Sequence, residues 1–129
     1  MKMLVLLLHW LYPIFEGMVI GLLAMALHEC GHLLAAIVLG VKIKAVAIHW
    51  KGLCTIREAG SPMKNLFVSI AGPLVNFALI LMWHTAPIFG LANLCFAFFN
   101  ILPIEGSDGD RALKCWEQMK RAGNRNHAT

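Results

Sequence analysis

GMVIGLLAMALHECGHLLAAIVL, residues 17–39, sets the reading of the whole chain. As a helix rising 1.5 Å per residue it covers about 34 Å, enough to cross the ~30 Å of hydrocarbon in a bilayer. Gly40 follows as a C-terminal cap. The polar residues inside this apolar run are His28, Glu29 and His32. A carboxylate at the centre of such a helix costs about 2.5–3.5 kcal/mol to insert, so residues of this kind are kept for function or to hold helices together. Gly17 with Gly21 and Gly31 with Ala35 are spaced four apart, which lets a neighbouring helix approach closely in lipid.

The rest of the composition agrees with a bilayer. Of the 129 residues 59% are hydrophobic and only 14% charged, against about 25% charged in a soluble domain. The formal net charge is +4, but the basic residues do not interleave with aromatics as a nucleic-acid surface would, and they read as membrane-flanking charges. Cys30, Cys54, Cys95 and Cys115 lie far apart with no C-x-x-C pair, so four free thiols are expected rather than a disulfide framework or a zinc ribbon.

On the N-terminal side, residues 3–15 are apolar but too short to span, and Pro13, Glu16 and Gly17 interrupt them. An interfacial piece, a re-entrant piece and a thin extra span all remain open. Lys2 with Met3 to Leu11 resembles a signal peptide, and Ala24-Met25-Ala26 a cleavage site. The apolar run nevertheless continues unbroken to Leu39, and retention of the segment is expected.

On the C-terminal side, Val41, Ile43, Ala45, Ile48 and Trp50 alternate with Lys42, Lys44 and His49, and Gly52 makes a turn before Cys54, Thr55 and Ile56. This pattern predicts a short hairpin over 41–58 at the membrane surface. Ser61-Pro62 starts a second span, Met63 to about Trp83, with Pro73 inside it. After a tight connection at Thr85 to Pro87, a third apolar run reaches Leu102. The polar turn 103–109 follows, and then a helix ending near Gly123 that presents Ala112, Cys115, Trp116 and Met119 on one face. Lys and Arg gather in the 41–64 loop and the tail and are absent near Thr85, which puts both basic regions in the cytoplasm.

H-E-x-x-H on a helix sets His28 and His32 one turn apart on the same face, where both imidazoles reach one ion. Glu29 sits beside them as a base toward water at the metal. A catalytic zinc takes a third protein ligand and keeps one open position. Asp108, Asp110 and Glu105, all just past the third span, are the candidates. Residues 86–102 as a helix cover about 25 Å, less than the ~30 Å core, so the turn after them is still at membrane depth and can meet His28 and His32.

Three stretches together resemble the site-2 protease family of intramembrane zinc metalloproteases: His28-Glu29-Cys30-Gly31-His32, Ala71-Gly72-Pro73-Leu74-Val75-Asn76, and Asn100-Ile101-Leu102-Pro103 with Asp108-Gly109. The resemblance covers most of residues 17–115. It implies one Zn2+ per chain, Asp108 as third metal ligand beside His28 and His32, and Glu29 as catalytic base. It also implies that Asn76 lies near the metal, stabilising an oxyanion or positioning substrate, while an interhelical hydrogen bond is the plainer reading of that residue. Glu105, Ser107 and Asp110 depart from the family pattern and add two carboxylates beside Asp108. Gly109 would free the backbone to aim Asp108 inward, and Asp110 would cap the tail helix. PDZ and CBS modules, present in some relatives, have no counterpart in these residues.

The expected architecture is therefore an all-α membrane protein: three core transmembrane helices, a small membrane-surface β-hairpin and an interfacial C-terminal helix. One domain covers 1–129, with its core at 17–110 and a cytoplasmic tail at 111–129. The expected activity is hydrolysis of peptide bonds of transmembrane protein or membrane-peptide substrates, in or near the lipid bilayer. The alternatives are a non-catalytic metal-holding subunit, which has no use for Glu29, a metalloprotease with a glutamate third ligand such as Glu105, and a metal transporter, which would need a path of polar residues rather than one site. His9, His49 and His84 are expected to lie at interfaces, away from any metal.

Overall fold

One continuous helix, α1 (Lys2–Val38), opens the computed structural model, which describes residues 2–49, 52–57 and 60–126. The interruption expected at Pro13 does not end it. Proline removes one backbone hydrogen bond from a helix, and the turns on either side of Pro13 carry the helix through. Glu16 and Gly17 lie within the same helix. At 1.5 Å per residue, α1 is about 55 Å long, and its Leu7–Val38 portion is long and apolar enough to cross a membrane.

Gly40 adopts φ 64°, the left-handed conformation open to glycine, and ends the helix with its N–H on the Ile37 carbonyl. Strands β1 (Ile43–His49) and β2 (Gly52–Arg57) then pair antiparallel, from Ile43 opposite Arg57 to His49 opposite Gly52, with an irregularity between Ile43 and Ala45. Trp50, which the alternation placed on the first strand, lies outside the described residues, as do Lys51, Glu58 and Ala59.

Helix α2 (Pro62–Leu79) starts as its sequence dictates, with Ser61 Oγ accepting from the Lys64 N–H at 3.4 Å and Pro62 in the first turn. A 3₁₀ segment, Ile80–His84, extends it, and Pro62–His84 is the second stretch fit to cross a membrane. Helix α3 (Pro87–Ile101) is apolar but, at about 22 Å, shorter than the hydrocarbon core. Helix α4 (Asp108–Asn126) runs through Gly123, three residues beyond its expected end, and packs along α2.

The polarity of this fold is inverted. Its outer faces carry exposed Leu22, Leu23, Ile37, Phe67, Leu74, Leu91 and Phe98, whereas His28, His32, Ser69, Asn76, Asn93 and Asp108 are buried. Buried positions recur about a turn apart: Ala24, His28, His32 and Ala36 on α1, and Gly90, Asn93 and Ala97 on α3. Water would favour the opposite arrangement. A chain with apolar outer faces and polar centres is built for lipid.

Close helix approach occurs at one of the two small pairs. A side chain at Gly31 would press on Val75 and the Ala71 carbonyl of α2, whereas Gly17 and Gly21 face open space. Ala36, Val41 and Val68 form a small apolar cluster with Ala35, Leu39 and Ile43, fixing the end of α1 and the start of β1 against α2. Cys30 and Cys95 are free thiols, as expected, and the side chain of Cys54 lies outside what is described.

Candidate metal centre

His28 and His32 project from one face of α1 with ring centroids 4.8 Å apart. Their Nε2 atoms are 3.1 Å from each other, and Asp108 Oδ2 lies 2.9 Å from the first and 3.0 Å from the second. Three donor atoms from two distant helices thus meet at the corners of a small triangle. Bonds of about 2.0–2.1 Å to a tetrahedral zinc put neighbouring ligand atoms about 3.3 Å apart, so the triangle needs to open by only a few tenths of an ångström to fit the ion.

The far side of each ring explains the orientation. His32 Nδ1 is 2.6 Å from the Val68 carbonyl, which can only accept, so the proton sits on Nδ1 and the Nε2 lone pair faces inward. His28 Nδ1 makes the matching bond to Asn76 Oδ1 at 2.5 Å. Neutral rings held this way aim two lone pairs and a carboxylate oxygen at one point, an arrangement that a cation relieves. Glu29 follows His28 on α1, is buried, and brings a carboxylate oxygen within 4.8 Å of the imidazole nitrogens.

The turn after α3 delivers Asp108 and separates it from its neighbours. Leu102 is extended, and Gly106 turns the chain at φ 87°. Ser107 then caps α4: its Oγ donates to the Leu102 carbonyl and accepts from the Asp110 N–H at 3.1 Å, while Asp110 Oδ2 accepts from the Gly106 N–H at 3.2 Å. This reciprocal cap corrects the expectation that Asp110 is the capping residue. With Ser107 as cap, Asp108 becomes the first helical residue and points back between the two histidines. Lys114, 2.8 Å from Asp110, holds that carboxyl below the ordinary carboxylate range, and Glu105 is exposed.

The role expected of Gly109 also changes. It is helical rather than left-handed, and a side chain there would collide with the Ile101 and Leu102 carbonyls. Its smallness lets the start of α4 close onto the end of α3. Arg111 Nη1, 3.5 Å from Asp108 Oδ1, engages the oxygen turned away from the histidines.

Gly72, which the sequence reading quoted without a role, backs the site. A methyl group there would collide with His32 Nε2 and sit 2.8 Å from His28 Nε2, where the donor atoms converge. Gly72→Ala is therefore expected to lower zinc occupancy at least tenfold while leaving the protein folded, measured by metal analysis beside a size-exclusion profile. Wild-type occupancy in that variant would show that the donors meet elsewhere.

Asn76 is fully buried, and its amide nitrogen donates to Asn93 Oδ1 at 2.7 Å and to the Ala24 carbonyl at 3.4 Å. Asn76 thus makes the interhelical hydrogen bonds of the plainer reading, and its oxygen faces His28. Asn93, buried on α3, was not among the expected site residues; its signal is an amide that, like Asn100, stands in an otherwise apolar run. His9 meets Trp10 edge-on at 6.3 Å, His84 is exposed, and the side chain of His49 lies outside what is described.

Comparison with known proteins places this geometry in context. Residues 1–102 match the family described as Peptidase M50B-like. A Synechocystis sp. protein named as a zinc metalloprotease, sll0528, is 31% identical across 79% of this chain and 32% of its own length. Stage IV sporulation protein FB of Bacillus subtilis is 34% identical across 71% of this chain and 37% of its own. The chain spans about a third of the length of these curated relatives.

Proposed function

Because the chain belongs to the Peptidase M50B-like family, in line with its site-2 protease motifs, we propose that it is a zinc endopeptidase cutting peptide bonds of membrane proteins in or near the bilayer. One observation carries this reading: His28, His32 and Asp108 present three donor atoms within 3.1 Å of one another beside the buried carboxylate of Glu29. His28, His32 and Asp108 hold one Zn2+ and Glu29 is the base. The names of the two relatives, a zinc metalloprotease and a sporulation protein, are compatible with this and say nothing of its substrate.

Zinc, when bound, polarises the scissile carbonyl and acidifies the attacking water. Glu29 takes the proton from that water and returns it to the departing amine nitrogen. Asn76 and the Val68 carbonyl keep both imidazoles in the tautomer that ligates. Burial of the four groups excludes bulk water and strengthens their electrostatic effect. A helical substrate exposes its backbone poorly and has to unwind. The edges of the two-stranded β1–β2 sheet are where such a strand would find main-chain hydrogen bonds, which supports a role for the sheet in substrate capture.

In the bilayer, α1, α2 and the short α3 form the three core spans, the sheet lies at the surface and α4 returns along α2 toward the basic side. The Lys and Arg distribution makes that side the cytoplasm. Proteoliposomes holding the purified chain and single-span membrane proteins provide the test. New N-termini within or beside spans are expected with zinc, lost on chelation and restored on re-addition. Identical termini with and without the metal would sink the reading. Single cysteines near Thr85, in a background with native cysteines replaced, should label only from outside intact cells.

A further inference from the structure

We infer that Asn93 is a positioning residue for the metal centre, acting through Asn76 to fix the tautomer of His28; the inference rests on the metal site proposed above. The two ends of an amide are told apart only by the partners they meet. Asn93 Nδ2 donates to the Phe89 carbonyl at 2.8 Å, and a carbonyl can only accept. Its Oδ1 therefore faces Asn76 at 2.7 Å and demands a donor. Asn76 meets that demand with Nδ2, whose remaining hydrogen points to the Ala24 carbonyl. Asn76 Oδ1 is left toward His28 Nδ1, which must carry the proton. Each step has one consistent assignment, and together they leave His28 Nε2 bare, facing Asp108 and His32.

Both asparagines are fully buried, so water does not compete for these bonds. With an aliphatic side chain at 93, Asn76 loses the acceptor that orients it. Its amide is then free to turn and donate to His28 Nδ1, which moves the ring proton to Nε2 and removes a metal ligand. An acidic side chain at 76 has no such choice, because both of its oxygens accept. Asn93 should thus matter when residue 76 is an amide and cease to matter when it is a carboxylate.

Zinc affinity, measured in detergent by competition with a chelator of known affinity, tests this without reference to activity. Asn93→Leu should weaken zinc binding about 10- to 100-fold, the usual effect of losing an outer partner of a ligating histidine. The visible spectrum of the Co2+-loaded protein should change with it. Asn76→Asp combined with Asn93→Leu should bind zinc within about threefold of Asn76→Asp alone. Asn93→Ala carries the same expectations and serves where leucine disturbs the packing of α3. Equal losses in both backgrounds would reduce Asn93 to a packing residue and overturn the proposal, as would wild-type affinity in the single variants. A wild-type protein that binds no zinc would fail at the site itself, a result readily distinguished from these.

Discussion

Asp108→Ala is expected to remove zinc and any proteolysis together, whereas Glu105→Ala and Asp110→Ala are expected to keep the metal. The geometry separates the three carboxylates that lie within six positions of one another. Asp108 Oδ2 lies about 3 Å from both Nε2 atoms. Asp110 is committed to the Gly106 N–H and to Lys114, and Glu105 faces outward. Loss of a ligand atom should exceed the ~10–100-fold loss of affinity typical of an outer partner, and activity should fall below detection. Glu105→Ala should be near neutral. Asp110→Ala should loosen the start of α4 and lower the melting temperature slightly, because the Gly106 N–H and Lys114 lose their partner. Metal analysis and peptide cleavage, run side by side on all three variants, decide the matter. Zinc retained in Asp108→Ala but lost in Glu105→Ala would make the ligand a glutamate and require the turn to fold differently.

Glu29→Gln should retain about one zinc per chain yet lose about 10²–10⁴-fold in kcat, because the amide keeps the shape of the side chain and removes only its ability to take a proton. KM should move far less, since the amide disturbs neither the strand edges nor the metal. Comparable turnover in the variant would transfer the base to another residue. Loss of zinc together with turnover would instead make Glu29 part of the metal's support, a result that the 4.8 Å clustering of His28, Glu29 and His32 keeps in view.

Much of this is legible in the sequence. The period of a helix is enough to place His28 beside His32, and an ionisable group in an apolar run announces itself by its cost. Ser61 and Pro62 read correctly as a helix start because capping is local chemistry. What stayed hidden depends on contacts between distant segments. Three carboxylates in one turn look alike until Gly106 and Ser107 fold it. Gly72 and Gly109 matter for the volume they leave empty, which no pattern of polarity records. Pro13 looked like a break because sequence alone weighs its missing hydrogen bond and not the turns that flank it. Asn93 carries the same signal as His28, a polar side chain among Leu91, Leu94 and Phe96.

The polar chain from Asp108 through His28 and Asn76 to Asn93 draws one member from each of the four helices. In lipid, apolar surfaces slide past one another with little preference, because hydrocarbon outside resembles side chain inside. A slip of any one helix by a single turn, ~5.4 Å, would break the bonds that helix makes within the chain and leave their charges and amides without partners. The constellation therefore works as a key as well as a site: it favours the one register of the four helices in which every member finds its partner.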